Sequence, residues 1–402
     1  MKKLKIALLA TSFLPSKGGA EIGLSNLANL LSRKGHQVYV IIPFSNFMKL
    51  NKFRKDLNYN LIFFPPRFWY FFFNFRFFFK LLSFFYFNLI NFIIKPDVYH
   101  CTNGFPLGFT MIKLNKSIKF KYLIRCTGED IQRSEEAGYG IRLNKKFNSE
   151  IEKNFKYGAN FVAITKSIYD EYIKLNISKT KIHLIPNGVS LKKFDKKINI
   201  DNERLKYNIK KDDFVFLCVS RNHPKKGLNI LLDAYKIFQE KYESKKVKLI
   251  IYGTDVTKLN INKNNFLQSP PILIEGKKEY LDKNQLSNSY PSEDIVNLYK
   301  LSDVFVFPSL IESFGIVLIE AMAAKLPIIS TNTDGCRDVL SEGKYGMIVQ
   351  KNNPNQLMEA MVKFHKDPVI RKYYKNIFKD ILVEYDLDNV ATKYEELYKK
   401  II

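Results

Sequence analysis

Only four cysteines occur in the 402 residues, Cys101, Cys126, Cys218 and Cys336, and no two of them form a CxxC pair. They read as reduced thiols of a cytosolic protein. No stretch qualifies as a spanning helix: the longest candidate, Leu81 to Ile94, holds 14 uncharged residues and includes Ser83, Asn88 and Asn91. The apolar run at the N-terminus, Ile6 to Ala10, is five residues long, and Gly18-Gly19 follow soon after. It reads as a first strand, not as a signal peptide. The GxGxxG fingerprint is missing, which disfavours NAD. Zinc-finger spacing, a basic zipper and an RNP-like strand are missing too, so no nucleic acid is expected as partner.

What is present in excess is positive charge. The net charge of +25 is unevenly placed, with 29 basic and 11 acidic side chains in residues 1–190 and 35 against 28 in the remainder. An excess in the first half fits an anionic membrane surface or a phosphate-bearing substrate. The second excess is aromatic. Between Phe68 and Phe87, 14 of 20 residues are aromatic, with Arg67, Arg76 and Lys80 interspersed. A helix here would be aromatic almost all round, and a soluble domain hides only part of such a helix. Rings at the headgroup level and cations on anionic lipid make peripheral membrane contact the expected role, with Phe71, Phe72, Phe78 and Phe79 among the contacting residues. A buried helix or a dimer interface is the alternative.

A chain of this length fits two αβ domains. Lys5 to Ala10 is an apolar strand, Thr11 to Glu21 a loop, and Ala20 to Lys34 has apolar residues at helical spacing. Gly35 ends that helix and Val38 to Ile42 is a second strand, giving a Rossmann-like half. Lys95 to His100 and Tyr122 to Arg125 are further strands. Ser167 is a reasonable N-cap for Ile168 to Leu175. Residues 190–212 read as a linker, and Phe214 to Val219 opens a second αβ domain. Asp388 to Ile402 reads as a terminal helix.

The stretch from Pro308 to Asp338 carries the clearest chemistry. An apolar strand stops at Pro308, Gly315 precedes a helix from Ile316 to Ala324, and Pro327 opens the next strand. Glu312, Ser313, Phe314 and Gly315 thus lie on a strand-to-helix loop, where backbone N–H groups and the positive helix end suit an anion. Glu320 sits inside the helix. An anion site flanked by carboxylates suits a ligand carrying phosphate and hydroxyls. Arg221 and Lys226 sit after the strand Phe214–Val219, at its carboxyl end, where α/β sheets bind ligands.

This stretch closely resembles the Glu–seven residues–Glu motif of retaining glycosyltransferases with the GT-B fold, in particular family four. Pro308-Ser309, Glu312, Phe314-Gly315, Glu320, Ala321-Met322-Ala323 and Pro327 all match in order. Arg221, four residues, then Lys226-Gly227 resembles that family's donor-diphosphate clamp. Gly18-Gly19-Ala20-Glu21 resembles its glycine-rich loop, and Ile185-Pro186-Asn187-Gly188-Val189 the end of its first domain. Cys126-Thr127-Gly128-Glu129-Asp130 departs from it: Thr127 stands where a histidine is common.

The resemblance covers roughly residues 1–190 and 212–350. It implies two Rossmann-like domains facing across a cleft: 1–190, joined by the C-terminal helix at about 385–402, and a donor domain over 208–384. It implies a UDP- or GDP-sugar donor bound by Gly18, Gly19, Arg221, Lys226, Glu312, Phe314, Gly315, Ile316 and Glu320. Glu312, Arg221, Lys226, His100 and Asp130 are the implied catalytic set, with His100 equally readable as a strand-end residue. No metal and no cofactor are expected, since cations take the metal's place; Asp386-Leu387-Asp388 lies far from the motif loops. The implied acceptor is a glycan or lipid-linked saccharide in cell-surface polysaccharide assembly, met at the inner face of the plasma membrane. A GT-B sugar-nucleotide epimerase and a non-catalytic membrane-associated scaffold are the alternatives.

Overall fold

The computed structural model describes residues 3–16, 18–64, 76–135, 138–242, 245–262, 266, 269–276 and 291–402. The chain divides into two compact units. The first holds Met1–Asn187 and the C-terminal Leu387–Ile402; the second holds Gly188–Lys278 and Pro291–Asp386.

The first unit is built on a seven-stranded sheet in the order β3-β2-β1-β4-β5-β6-β7. Its strands are β1 (Lys5–Leu9), β2 (Gln37–Pro43), β3 (Asn60–Phe64), β4 (Val98–Cys101), β5 (Tyr122–Arg125), β6 (Phe161–Ala163) and β7 (Ile182–Leu184). Every pairing is parallel. The near-continuous apolar strands require cover on both faces, which the crossover helices supply. Helix α1 (Gly19–Arg33) follows β1, and α2 (Arg76–Ile93) precedes β4.

The second unit repeats the plan in six parallel strands, in the order β10-β9-β8-β11-β12-β13. These are β8 (Phe214–Val219), β9 (Val247–Gly253), β10 (Ile272–Glu275), β11 (Val304–Phe307), β12 (Ile328–Thr331) and β13 (Met347–Val349). Helix α3 (Leu228–Lys241) follows β8, α4 (Glu293–Leu301) leads into β11, α5 (Ile316–Ala323) follows it, and α6 (Pro368–Tyr385) closes the unit.

The terminal helix α7 (Leu387–Ile401) belongs to the first unit. Its Val390, Ala391, Tyr394, Leu397 and Tyr398 complete a core with Leu4, Ile6, Leu8, Leu27, Leu31, Val38 and Val40. Polar contacts at its edge hold it as well: Lys34 Nζ donates to Thr392 Oγ1 at 2.9 Å, and Glu395 lies 3.7 Å from His36.

Two local expectations are corrected. The helix expected at Ile168 begins at Lys166, and its N-cap is Thr165, whose hydroxyl accepts from the Ile168 N–H at 3.4 Å. Ser167 lies inside the first turn. Residues 190–212 are not plain linker: they hold short helices at Lys192–Asp195 and Ile200–Leu205. Arg204 anchors them, buried and donating to the carbonyls of Leu301, Lys211 and Asp213. A guanidinium with five donors can close several carbonyl ends at once, which no apolar periodicity would reveal.

Among the described residues no helix is long and apolar enough to cross a membrane. The aromatic segment is partly described. Phe71 and Phe72, and the side chains of Phe78 and Phe79, lie outside the described residues. In the described part of α2, Ser83, Phe87 and Ile90 are buried, whereas Phe85, Leu89, Phe92 and Ile93 are 54 to 77% exposed. These four recur at helical spacing and form one outward apolar face.

Candidate functional site

Each sheet reverses its winding once. In the second unit the reversal falls between β8 and β11, whose pairing aligns Val304 with Phe216. Loops leaving the carboxyl ends of such neighbouring strands diverge, and the crevice they leave is the usual ligand position in open α/β sheets. Arg221 and Lys226 come from the loop after β8, and Glu312 to Ile316 from the loop after β11.

The two loops are tied together by backbone. Leu310 N–H donates to the Lys225 carbonyl at 2.8 Å, and Ser309 Oγ lies 3.2 Å from the same carbonyl oxygen. Gly227 adopts φ of 64°, and a Cβ there would sit 2.1 Å from the Pro308 carbonyl oxygen, so this approach needs glycine. Gly335 N–H donates to the Glu312 carbonyl at 3.0 Å and supports the loop from behind.

Inside this frame Lys226 Nζ lies 2.5 Å from Glu312 Oε2, with the two side chains 16% and 15% exposed. The Lys226 ammonium also stands over the Phe307 ring, 5.1 Å from its centre. Burial alone would push the Glu312 carboxyl up. The charge and hydrogen bond of Lys226, the Ser313 N–H and the charge of Lys225 outweigh it, and the net shift is downward. Arg221 is exposed and makes no side-chain hydrogen bond or ion pair among the described residues.

Gly315, with φ of 80°, turns the chain into α5. The Ile316 and Val317 amides head that helix, where no preceding turn supplies carbonyls. Phe314 is buried against Tyr385, with ring centres 5.9 Å apart, and so acts as an anchor of the loop. Glu320, on α5, is completely buried. Burial pushes its carboxyl up to about 8, although the Tyr299 hydroxyl and the charge of Lys193 pull the other way. Tyr299 Oη lies 2.9 Å from Glu320 Oε2. The other carboxyl oxygen, Oε1, has no hydrogen-bond partner among the described residues. A buried polar atom without a partner is costly and calls for an explanation, and a ligand contact is one. Tyr299 is the functional candidate that sequence reading missed; on an amphipathic helix it reads as ordinary core.

In the first unit the reversal falls between β1 and β4. Gly18 and Gly19 stand at the start of α1 in the loop after β1. That loop is fastened to the loop after β4 through Thr11 Oγ1 and Asn103 Oδ1, 2.8 Å apart. Asp130 is buried and organises this edge. Its carboxylate accepts from the N–H groups of Gly104, Thr127 and Gly128. Burial nevertheless keeps its pKa above the ordinary range. His100 has no exposed surface. Its Nδ1 lies 2.7 Å from Tyr398 Oη, and its ring stacks on Tyr394. Burial, and to a lesser degree the charge of Arg125, pushes its pKa well down. Its Nε2 is buried and has no hydrogen-bond partner among the described residues. Arg125 is buried too, its guanidinium donating to Asn187 Oδ1.

Known proteins bear on the same two halves. Residues 17–193 match the family model described as Glycosyltransferase Family 4, and residues 199–380 match Glycosyl transferases group 1. The alpha-monoglucosyldiacylglycerol synthase of Acholeplasma laidlawii is 26% identical over 91% of this chain and 89% of its own. A glycosyltransferase of Rickettsia africae superposes with a TM-score of 0.75 at 19% identity, covering 100% of this chain and 99% of its own. Anabaena HepE, solved in complex with UDP-glucose, superposes with a TM-score of 0.72 at 16% identity, covering 99% and 100%.

Proposed function

The chain belongs to the glycosyl transferases of group 1 and family 4, enzymes with the GT-B fold, and on that premise we propose that it moves a hexose, with retention, from a nucleoside-diphosphate sugar to an acceptor hydroxyl. The observation that carries this reading is the Lys226–Glu312 pair at the reversal of the second sheet. Arg221 stands on the same loop as Lys226.

In this scheme Arg221 and Lys226 hold the donor diphosphate and, with the Ile316 and Val317 amides, stabilise the charge that grows on it as it leaves. The bond from the anomeric carbon to the diphosphate oxygen breaks, and the acceptor oxygen bonds to that carbon on the same face. The acceptor proton passes to the departing diphosphate. Two side-chain cations do the charge neutralisation, so the scheme is metal-independent. Glu312 lies near the sugar ring, and Glu320 receives the ribose hydroxyls. The Oε1 edge is closed to solvent in the ligand-free chain, so a ribose reaches it by local rearrangement. Retention is tested by NMR of the product: an α-configured donor gives an α-linked product, and a β-linked product contradicts the scheme.

The acceptor in this reading is a glycan or lipid-linked saccharide used in cell-surface polysaccharide assembly, met at an anionic membrane surface such as the cytoplasmic leaflet. The outward face of α2 supplies the apolar contact, and the basic first half supplies charge complementarity. Lys49, Lys52 and Lys95 are exposed on this unit. The relative from Acholeplasma, named for a glycolipid product, is consistent with it. Sedimentation with anionic liposomes checks the point. Wild type pellets with the vesicles, and the combined Phe85→Ser, Leu89→Ser and Phe92→Ser variant stays in the supernatant with its thermal transition intact. A wild-type protein that never sediments contradicts the membrane reading.

A further inference from the structure

Glu320 is a short distance from being a poor ligand. A glutamate carries three rotatable bonds, and a fully buried carboxyl with one unpaired oxygen gains by turning toward any stray donor. Something must hold it with one edge tied and the other open. The structure shows one such restraint. Tyr299, on α4, has no exposed surface and is wedged by rings at 5.4 Å (Phe305) and 6.1 Å (Phe194). Its hydroxyl lies 2.9 Å from Glu320 Oε2 and 3.3 Å from the Val317 carbonyl oxygen. A phenol has one proton to give and can also accept. Its contact to Val317 joins it to the first turn of α5, the turn whose amides hold the diphosphate in the donor reading. One rigid hydroxyl therefore refers both the carboxyl and the helix start to the same point.

We infer that Tyr299 is a positioning residue of the donor site: it fixes Glu320 by Oε2 so that Oε1 is the edge left for a ribose hydroxyl. This rests on the donor reading above, and it assigns a role to a residue outside the loop motifs. Tyr299 touches no substrate in this account. Its effect is on how well the site tells a ribonucleotide from one without ribose hydroxyls. Sites built to hydrogen-bond a hydroxyl reject analogues that lack it, because a buried group is left unpaired.

The test is a calorimetric titration of the full chain with UDP, GDP and ADP, and with the 2′,3′-dideoxy form of whichever binds. Wild type prefers the ribonucleotide by about 10- to 100-fold, the range for leaving a buried hydrogen-bonding group unpaired. Tyr299→Phe keeps the ring packing and loses most of that preference, while its affinity for the dideoxy nucleotide is nearly unchanged. In a Glu320→Gln background the same substitution adds little, because the two act through one contact. A merely structural tyrosine would weaken both nucleotides equally and leave their ratio alone, and that result overturns the inference. The other failures are separable. A wild type that does not discriminate removes the ribose contact of Glu320, and a wild type that binds none of the three removes the nucleotide site.

Discussion

Lys226→Ala lowers sugar transfer by about a thousandfold or more, the scale seen when a preorganised charge at a developing anion is deleted. Two effects act together. The leaving diphosphate loses its closest cation, leaving Arg221 and the α5 amides. The Glu312 carboxylate, 15% exposed and 2.5 Å from the lost ammonium, is also left uncompensated. Its depressed pKa rises, because burial is the largest influence on it and Lys226 the main opposing one. The variant is therefore less stable, by on the order of 1–3 kcal/mol once partial exposure is allowed for. Adding Glu312→Gln to Lys226→Ala removes the orphaned charge and recovers thermal stability without recovering transfer. Arg221→Ala, with no described side-chain partner to strand, weakens transfer at unchanged stability. Recovery of activity together with stability in the double variant would mean that Lys226 serves the fold and not the donor.

Glu320→Gln separates stability from function in the opposite direction. In the folded chain burial holds the Glu320 carboxyl near 8, against an ordinary value of 4.5. Between those two values the folded state keeps a proton that the unfolded state has lost, so stability falls as pH rises from about 4.5 to about 8, then levels off. At roughly 1.4 kcal/mol per pKa unit, the wild type loses on the order of 3–5 kcal/mol across this window through this one group. Glutamine has the same shape and does not titrate. The melting temperature of Glu320→Gln relative to wild type therefore climbs steadily from pH 5 to pH 8.5. Nucleotide affinity falls in the same variant, since an amide takes the place of the carboxyl group that the ribose meets. A stabilised but weakened site is the expected signature of a group kept for function. A melting difference that stays constant over the pH range would show that Glu320 does not titrate there.

The loops that carry Lys226 and Glu312 were legible because their turns are fixed by short stretches of sequence. Glycine, proline and charged residues at fixed offsets, from Arg221 to Gly227 and from Pro308 to Gly315, dictate backbone turns, and the turns place the side chains. The parallel architecture followed from continuous apolar strands alternating with helical periodicity. What could not be read depends on contacts across the fold. His100 is packed by Tyr394 and Tyr398, nearly 300 residues further along, and nothing near His100 announces them. Tyr299 looks like any core aromatic until its hydroxyl is found beside Glu320. Helix α2 is apolar almost all round, so periodicity could not say which side is covered; the sheet decides, burying Phe87 and leaving Phe92 out. Arg204 sits in a polar stretch whose short helices are fixed by carbonyl contacts and not by an apolar stripe.

The central claim is that the second unit binds the nucleotide of a sugar donor through Lys226. A calorimetric titration of wild type and Lys226→Ala with UDP, GDP and ADP tests it directly. One nucleoside diphosphate binds the wild type, and its affinity falls by about 100-fold or more in the variant, as expected for losing a charge-assisted contact to phosphate. Equal affinity in the two proteins, or no binding of any of the three to wild type, would contradict the account.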